Sequence, residues 1–193
     1  MNIKHSKEDV LNKGMMLFRL NGYHNTGTNE ILRETGISRG SFYNFFKDKD
    51  DFGVQVLDYY TMSTTNYINE LLNKKGLNAK QRIVHLFEIF TESYTKVNYK
   101  WGCLLVGMTQ ELSGINELFT QATGRNFEEL IKPLTICIQQ GQEAGVINKG
   151  QKPRAMALSI WGSYNGALVL MKSGLHQEPL DAFLENLNKT LKV

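Results

Sequence analysis

The stretch Thr28-Asn-Glu-Ile-Leu-Arg-Glu-Thr-Gly-Ile-Ser-Arg-Gly-Ser-Phe-Tyr-Asn-Phe-Phe-Lys-Asp-Lys-Asp-Asp-Phe52 decides how this 193-residue chain is read. It holds two short helical segments separated by Thr35-Gly36-Ile37-Ser38. In the first, Thr28 can serve as N-cap, Ile31 and Leu32 point inward, and Gly36 stands at the C′ position, where left-handed backbone ends a helix. Ser38 caps the second, and Ile37 and Phe42 occupy the N′ and N4 positions of a hydrophobic staple. Two short helices joined by a tight turn containing glycine have the layout of a helix-turn-helix. A short second helix can enter the major groove and present its N-terminal side chains to base edges while the first braces against the backbone.

The exposed residues of that second helix are Arg39, Gly40, Ser41, Tyr43 and Asn44. Arg39 can bond guanine or phosphate, and Asn44 can bond adenine or phosphate. Gly40 lets the backbone approach the duplex. The hydroxyls of Thr28, Ser41 and Tyr43 and the ammonium of Lys49 suit phosphate oxygens. Phe42 and Phe46 read as packing residues rather than wedges between bases. The charge distribution points the same way. Residues 1–47 carry seven Lys or Arg (Lys4, Lys7, Lys13, Arg19, Arg33, Arg39, Lys47) against four acids, whereas the rest of the chain is balanced. A positive excess at one end of a neutral body favours a polyanion there, although an excess of three is small.

Working outward, helical periodicity continues in both directions. A first helix starts at Ser6 as N-cap, with Glu8 and Asp9 in its first turn; Val10, Gly14, Leu17 and Phe18 share a face, and Asn21-Gly22 stops it. Asp48 caps a long fourth helix running to about Leu72. Five more follow, over about 79–98, 102–113, 115–143, 153–173 and 179–192, with Asn78 as a cap and Pro153 and Pro179 near helix starts. Pro133 falls inside one of them and should bend or split it. Leucine outnumbers valine 23 to 9 and strict alternation is rare, so the expected fold is all-α with about nine helices. The expected domains are a three-helix helix-turn-helix domain over 1–50 and a helical bundle over 51–193.

Composition removes several classes. The longest apolar runs, Cys103–Val106 and Ala167–Met171, are far shorter than a membrane span. The first residues lack the apolar core of a signal peptide. Cys103 and Cys137 sit in apolar company, which suits reduced thiols in the cytoplasm. Gly36-Ile-Ser-Arg-Gly40 matches a nucleophile elbow in letters only, because that elbow needs a strand before the serine. Asp48-Lys-Asp-Asp-Phe-Gly53 begins like a calcium loop, yet its twelfth position is Tyr59. His5, His24, His85 and His176 are scattered and the two cysteines are far apart, so no zinc spacing exists. The reading is of a non-enzyme without metal or cofactor.

The Thr28–Phe52 stretch closely resembles the DNA-binding signature of the TetR family of transcriptional regulators, of the TetR/AcrR type. Met15-Met-Leu-Phe-Arg-Leu-Asn-Gly-Tyr-His24 resembles the end of that family's first helix. Arg39 stands where such proteins often have lysine, and Asn44 where they often have histidine. The resemblance implies a homodimer, a palindromic double-stranded DNA operator, and a C-terminal helical domain that binds a small inducer.

Several residues are candidate walls for an inducer chamber of largely apolar lining. They are Phe87, Phe90 and Tyr94 on the fifth helix; Cys103, Leu104, Gly107, Met108 and Glu111 on the sixth; Phe127 on the seventh; and Trp161, Tyr164 and Asn165 on the eighth. Apolar walls with a few polar groups are what small-ligand pockets require, although each aromatic is equally an ordinary core residue. Trp101-Gly-Cys-Leu-Leu resembles the start of the sixth helix in a subgroup that includes electrophile- and quinone-responsive repressors. Cys103 is therefore either a packed small hydrophobe or a thiol sensor favoured by a helix N-terminus.

For the dimer, Leu180, Phe183, Leu184, Leu187 and Leu191 form an apolar stripe, and Ser159, Gly162, Ser163 and Gly166 a small-residue face. Together they suit a four-helix interface. The resulting expectation is a cytoplasmic repressor released from its operator by an inducer. The alternatives are a thiol-based redox or electrophile sensor using Cys103, and a non-regulatory interaction module.

Overall fold

The computed structural model describes residues 6–193; Lys4 and His5, which enter the charge and histidine arguments above, lie outside the described residues. Among the described residues there are nine helices and no strand: α1 (Lys7–Asn21), α2 (Thr28–Thr35), α3 (Arg39–Phe45), α4 (Lys49–Leu72), α5 (Ala79–Thr95), α6 (Leu104–Leu112), α7 (Glu117–Glu143), α8 (Pro153–Gly174) and α9 (Glu178–Thr190).

The caps explain most of the boundaries. Ser6 and Asp9 form a reciprocal capping box at α1, and Asn78 and Gln81 another at α5. Ser38 Oγ accepts from the Ser41 N–H at the start of α3. Asp48 Oδ1 accepts from the Asp51 N–H at the start of α4, while Asp51 accepts from the Lys47 N–H. Gly36 closes α2 at φ 74°, a left-handed conformation that costs glycine nothing. One boundary departs from the sequence reading. Gly27, not Thr28, is the N-cap of α2; Thr28 is its first helical residue and no side chain caps it. Of the two outcomes expected at Pro133, a bend or a split, the split does not occur in α7: a single missing N–H removes one bond from a long helix without dividing it. Cys103 is the N-cap of α6, at the helix start where the sequence puts it, and makes no side-chain cap bond.

The chain packs as two compact units, which are drawn differently from a cut at residue 50. The first takes the chain up to Ser63 together with Cys103–Phe127, so α6 and the start of α7 belong with the helix-turn-helix. The second comprises Thr64–Gly102 and Glu128–Val193.

In the first unit the core is aromatic. Phe42, Phe46 and Phe52 are essentially solvent-free, with ring centroids 4.8–5.5 Å apart, and Phe18 joins Phe52 at 5.7 Å. Tilted and edge-on pairs of this kind add about 0.5–1.5 kcal/mol each beyond area burial. Ile31 and Ile37, from either side of the turn, are also buried.

In the second unit, Phe87 of α5 meets Trp161 and Tyr164 of α8 and Phe183 of α9 at 5.1–6.0 Å. The residues expected in the dimer stripe are largely covered within the chain. Leu180, Phe183, Leu187 and Leu191 are buried inside the single chain, and Leu184 is half-buried. An apolar stripe must be covered, but its pattern does not say by which chain, and here α9 turns it onto its own unit.

Candidate nucleic-acid interface and effector residues

Helix α3 divides cleanly. Phe42 points into the aromatic core, while Arg39, Gly40, Tyr43 and Asn44 are exposed and Ser41 is partly so. Tyr43 is half exposed and braced edge-on against the Phe42 ring at 5.4 Å, which fixes its phenol on the outer face. The division follows from seven residues of helix anchored by one buried phenylalanine and one cap: whatever does not share the Phe42 direction faces solvent.

Three predicted contacts have protein partners. Arg39 Nη2 donates to Asn29 Oδ1 across the helix-turn-helix at 2.6 Å, so Asn29 sets the guanidinium's direction. Ser41 Oγ lies 2.9 Å from Ser38 Oγ. Lys49 Nζ donates to the Tyr23 carbonyl at 2.8 Å and stands 4.1 Å from that ring's centroid. Desolvation lowers the Lys49 pKa, against the opposing pull of Asp50 and Glu111. Thr28 is partly exposed at the first turn of α2, on the element preceding α3.

The candidate effector residues fall into both units. Cys103, Leu104, Gly107, Met108, Glu111 and Phe127 lie in the first, and Phe87, Phe90, Tyr94, Trp161, Tyr164 and Asn165 in the second. Leu104 and Met108 are core residues of the first unit, Phe127 is half-buried, and a Cβ at Gly107 would meet nothing within 4 Å. Cys103 is 9% exposed, with Sγ 3.7 Å from the Tyr60 hydroxyl. Glu111 departs from the expected chamber wall: its carboxylate accepts from the backbone N–H groups of Tyr23 and His24 at 3.1 and 3.0 Å.

In the second unit Phe87 is enclosed by rings, while Phe90 is half-buried and stacks on Tyr67 at 6.2 Å. Tyr94 is buried at the end of α5. The buried polar atoms there without a hydrogen-bond partner in the protein include Thr91 Oγ1, Trp161 Nε1 and Asn165 Oδ1, besides Thr65 Oγ1 and Arg82 Nε. Unmatched buried polar groups are costly and uncommon.

The profile of the bacterial regulatory proteins of the tetR family matches residues 10–54, and that of the tetracyclin repressor-like C-terminal domain matches residues 79–187. The chain belongs to the TetR family. It is accordingly a DNA-binding transcriptional regulator. It is 30% identical to the HTH-type transcriptional repressor DhaR of Mycobacterium sp. strain GP1, over 92% of this chain and 88% of that protein. It is 24% identical to the HTH-type transcriptional repressor NemR of Escherichia coli K12, over 96% of this chain and 94% of that protein. The crystal structure of a regulatory protein TetR from Rhodobacter sphaeroides shares the fold with a TM-score of 0.89 at 22% identity, over 95% of this chain and 97% of that one.

TetR-family regulators dimerise. On α8, Ser159, Gly162, Ser163 and Gly166 are exposed together with Leu158, Val169 and Leu170, the last 60% exposed. No helix among the described residues is long and apolar enough to cross a membrane. Sequence reading missed Asn29 as the partner of Arg39, and Tyr23 as a fixed point of the first unit. The Asn29 pairing has no sequence signal, since any exposed Asn on α2 would look the same. Tyr23 carried one: a lone aromatic after the Gly22 stop must be buried somewhere.

Proposed function

We propose that the chain is a ligand-released repressor. In this reading a homodimer, formed through the exposed face of α8, reads a palindromic operator in the cytoplasm with its two α3 helices. A small, largely apolar inducer releases it. The observation that carries the reading is the α3 face: Arg39, Gly40, Tyr43 and Asn44 outward, held by the Phe42 anchor and the Ser38 cap. Two-fold symmetry would set the recognition helices about one DNA turn apart, or a multiple of it. Relatives named as repressors support the sign of regulation.

For the inducer, support comes from Trp161 and Asn165, one turn apart on α8, and Thr91 on α5. Trp161 offers an N–H, Asn165 a carbonyl oxygen and Thr91 a hydroxyl, all three buried. A compact apolar molecule carrying one acceptor and one donor matches that set. Such a molecule releases DNA only if it binds the released form more tightly than the operator-bound form. Helix α4, which starts in the helix-turn-helix unit and ends in the other, is the natural lever.

The test is a screen of small neutral compounds against the protein–operator complex. A compound that releases DNA from the native protein, and does so less well from Trp161→Phe, supports the reading. Compounds that bind the second unit and leave operator affinity unchanged contradict it. A second reading rests on Cys103, the N-cap residue of α6, whose Sγ lies 3.7 Å from the Tyr60 hydroxyl. It requires thiol-reactive electrophiles to release operator from the native protein and not from Cys103→Ser.

A further inference from the structure

The turn between α1 and α2 is fastened at four polar atoms, the N–H, carbonyl and hydroxyl of Tyr23 and the N–H of His24. Glu111, next to last in α6, takes the N–H groups of Tyr23 and His24 with one carboxylate. Lys49 takes the Tyr23 carbonyl. The Tyr23 hydroxyl donates to Asp50, whose other oxygen accepts from Asn116 Nδ2 at 2.9 Å. The Tyr23 ring meets Phe119 of α7 edge-on at 5.1 Å, and Tyr23 is only 4% exposed.

Backbone shape is fitted to the same carboxylate. Gly22 has φ 81°, and a Cβ on it would fall 2.8 Å from Glu111 Oε1. At Gly53 a Cβ would fall 2.8 Å from both the Tyr23 and the Phe119 rings. Two side-chain-free positions therefore admit the joint, one on each side of Tyr23. A charged acceptor on two backbone donors in a half-buried place is among the stronger hydrogen-bond arrangements.

We propose that Glu111 is a positioning residue for DNA binding: by gripping the Tyr23 and His24 amides it ties α6 to the α1–α2 turn and so fixes where α2 and α3 stand. This gives α6 a connection to the reading head separate from the continuous α4. The proposal rests on the chain binding DNA as a regulator and is independent of what the inducer is.

The experiment compares the native full-length protein with Glu111→Ala and Glu111→Gln. Three quantities are read: affinity for a duplex selected by the native protein, thermal midpoint, and backbone hydrogen exchange. Glu111→Ala is expected to weaken operator binding about tenfold, the equivalent of roughly one net charged hydrogen bond. Faster exchange is expected only from Tyr23 through α3. Glu111→Gln keeps one carbonyl acceptor and should recover part of the affinity, which also protects the test if the alanine variant folds poorly.

Unchanged affinity in both variants overturns the proposal. So does a loss accompanied by faster exchange throughout the chain, which marks Glu111 as a general stability residue. A native protein that selects no duplex overturns it along with the DNA-binding reading, an outcome distinct from a variant that simply matches the native.

Discussion

Gly14 of α1 and Phe52 of α4 touch with no space between them: a Cβ on residue 14 would lie 2.9 Å from Phe52 Cε1 and 3.0 Å from Val56 Cγ2. Phe52 is the ring on which Phe18, Phe42 and Phe46 converge, so this approach sets how closely α1 can close over the recognition helix's anchor. Gly14→Ala should raise helix propensity by about 1 kcal/mol. Overpacking against a fully buried ring costs about 1–3 kcal/mol and outweighs it. Urea unfolding should show a net loss of stability, and a stabilised variant would contradict the packing described.

The outer face of α3 separates binding from folding. Tyr43→Ala and Asn44→Ala should each weaken operator binding by about 1–3 kcal/mol if they contact DNA as placed. Their unfolding midpoints should move little, because both side chains are exposed. Phe42→Ala, one residue away and fully buried, should instead cost about 3–5 kcal/mol of stability. Equal destabilisation by all three would dissolve the distinction between the two faces.

The two C-terminal helices are predicted to fail in different ways. Leu187 is buried within one chain, so Leu187→Ala should lower folding stability by about 2–5 kcal/mol. Gly162 is exposed on α8 with nothing within 4 Å of a Cβ, so Gly162→Arg should leave each chain folded. In sedimentation it should yield folded monomers with reduced operator affinity. Folded monomers from Leu187→Ala and intact dimers from Gly162→Arg would reverse the assignment.

Alkaline pH should unfasten the Tyr23 joint. Burial, then the hydrogen bond to Asp50, raises the Tyr23 pKa above the ordinary value near 10. The folded state therefore keeps a proton that the unfolded chain releases. The associated stability is complete below about pH 10 and is lost as pH rises beyond it. Cys137 acts in the same direction from a lower starting point, since burial raises its thiol. Urea midpoints measured from pH 7 to 11 should decline from about pH 9. Tyr23→Phe should flatten the decline above about pH 10, and an unaltered slope would contradict the buried hydroxyl.

What the sequence made legible was local. Ser6, Ser38, Asp48 and Asn78 are recognisable caps because a cap and the amide it holds lie within three residues. Gly36 marks a turn because only its backbone takes φ 74° without cost. The Phe42 and Phe46 anchors follow from helical phase. What the sequence left out is mostly long range. Glu111 looked like a polar group in an apolar wall because its partners lie 88 and 87 residues away in sequence. The α9 stripe looked intermolecular because periodicity gives the need for cover and not its source. Thr28 looked like a cap although the backbone enters α2 one residue earlier.

The most direct test is selection of the purified protein on a randomised double-stranded DNA pool, followed by sequencing and by binding of the recovered duplex to Tyr43→Ala. The account predicts a palindromic site whose affinity falls in that variant. Weak, salt-sensitive binding without sequence preference, equal in native and variant protein, would contradict it.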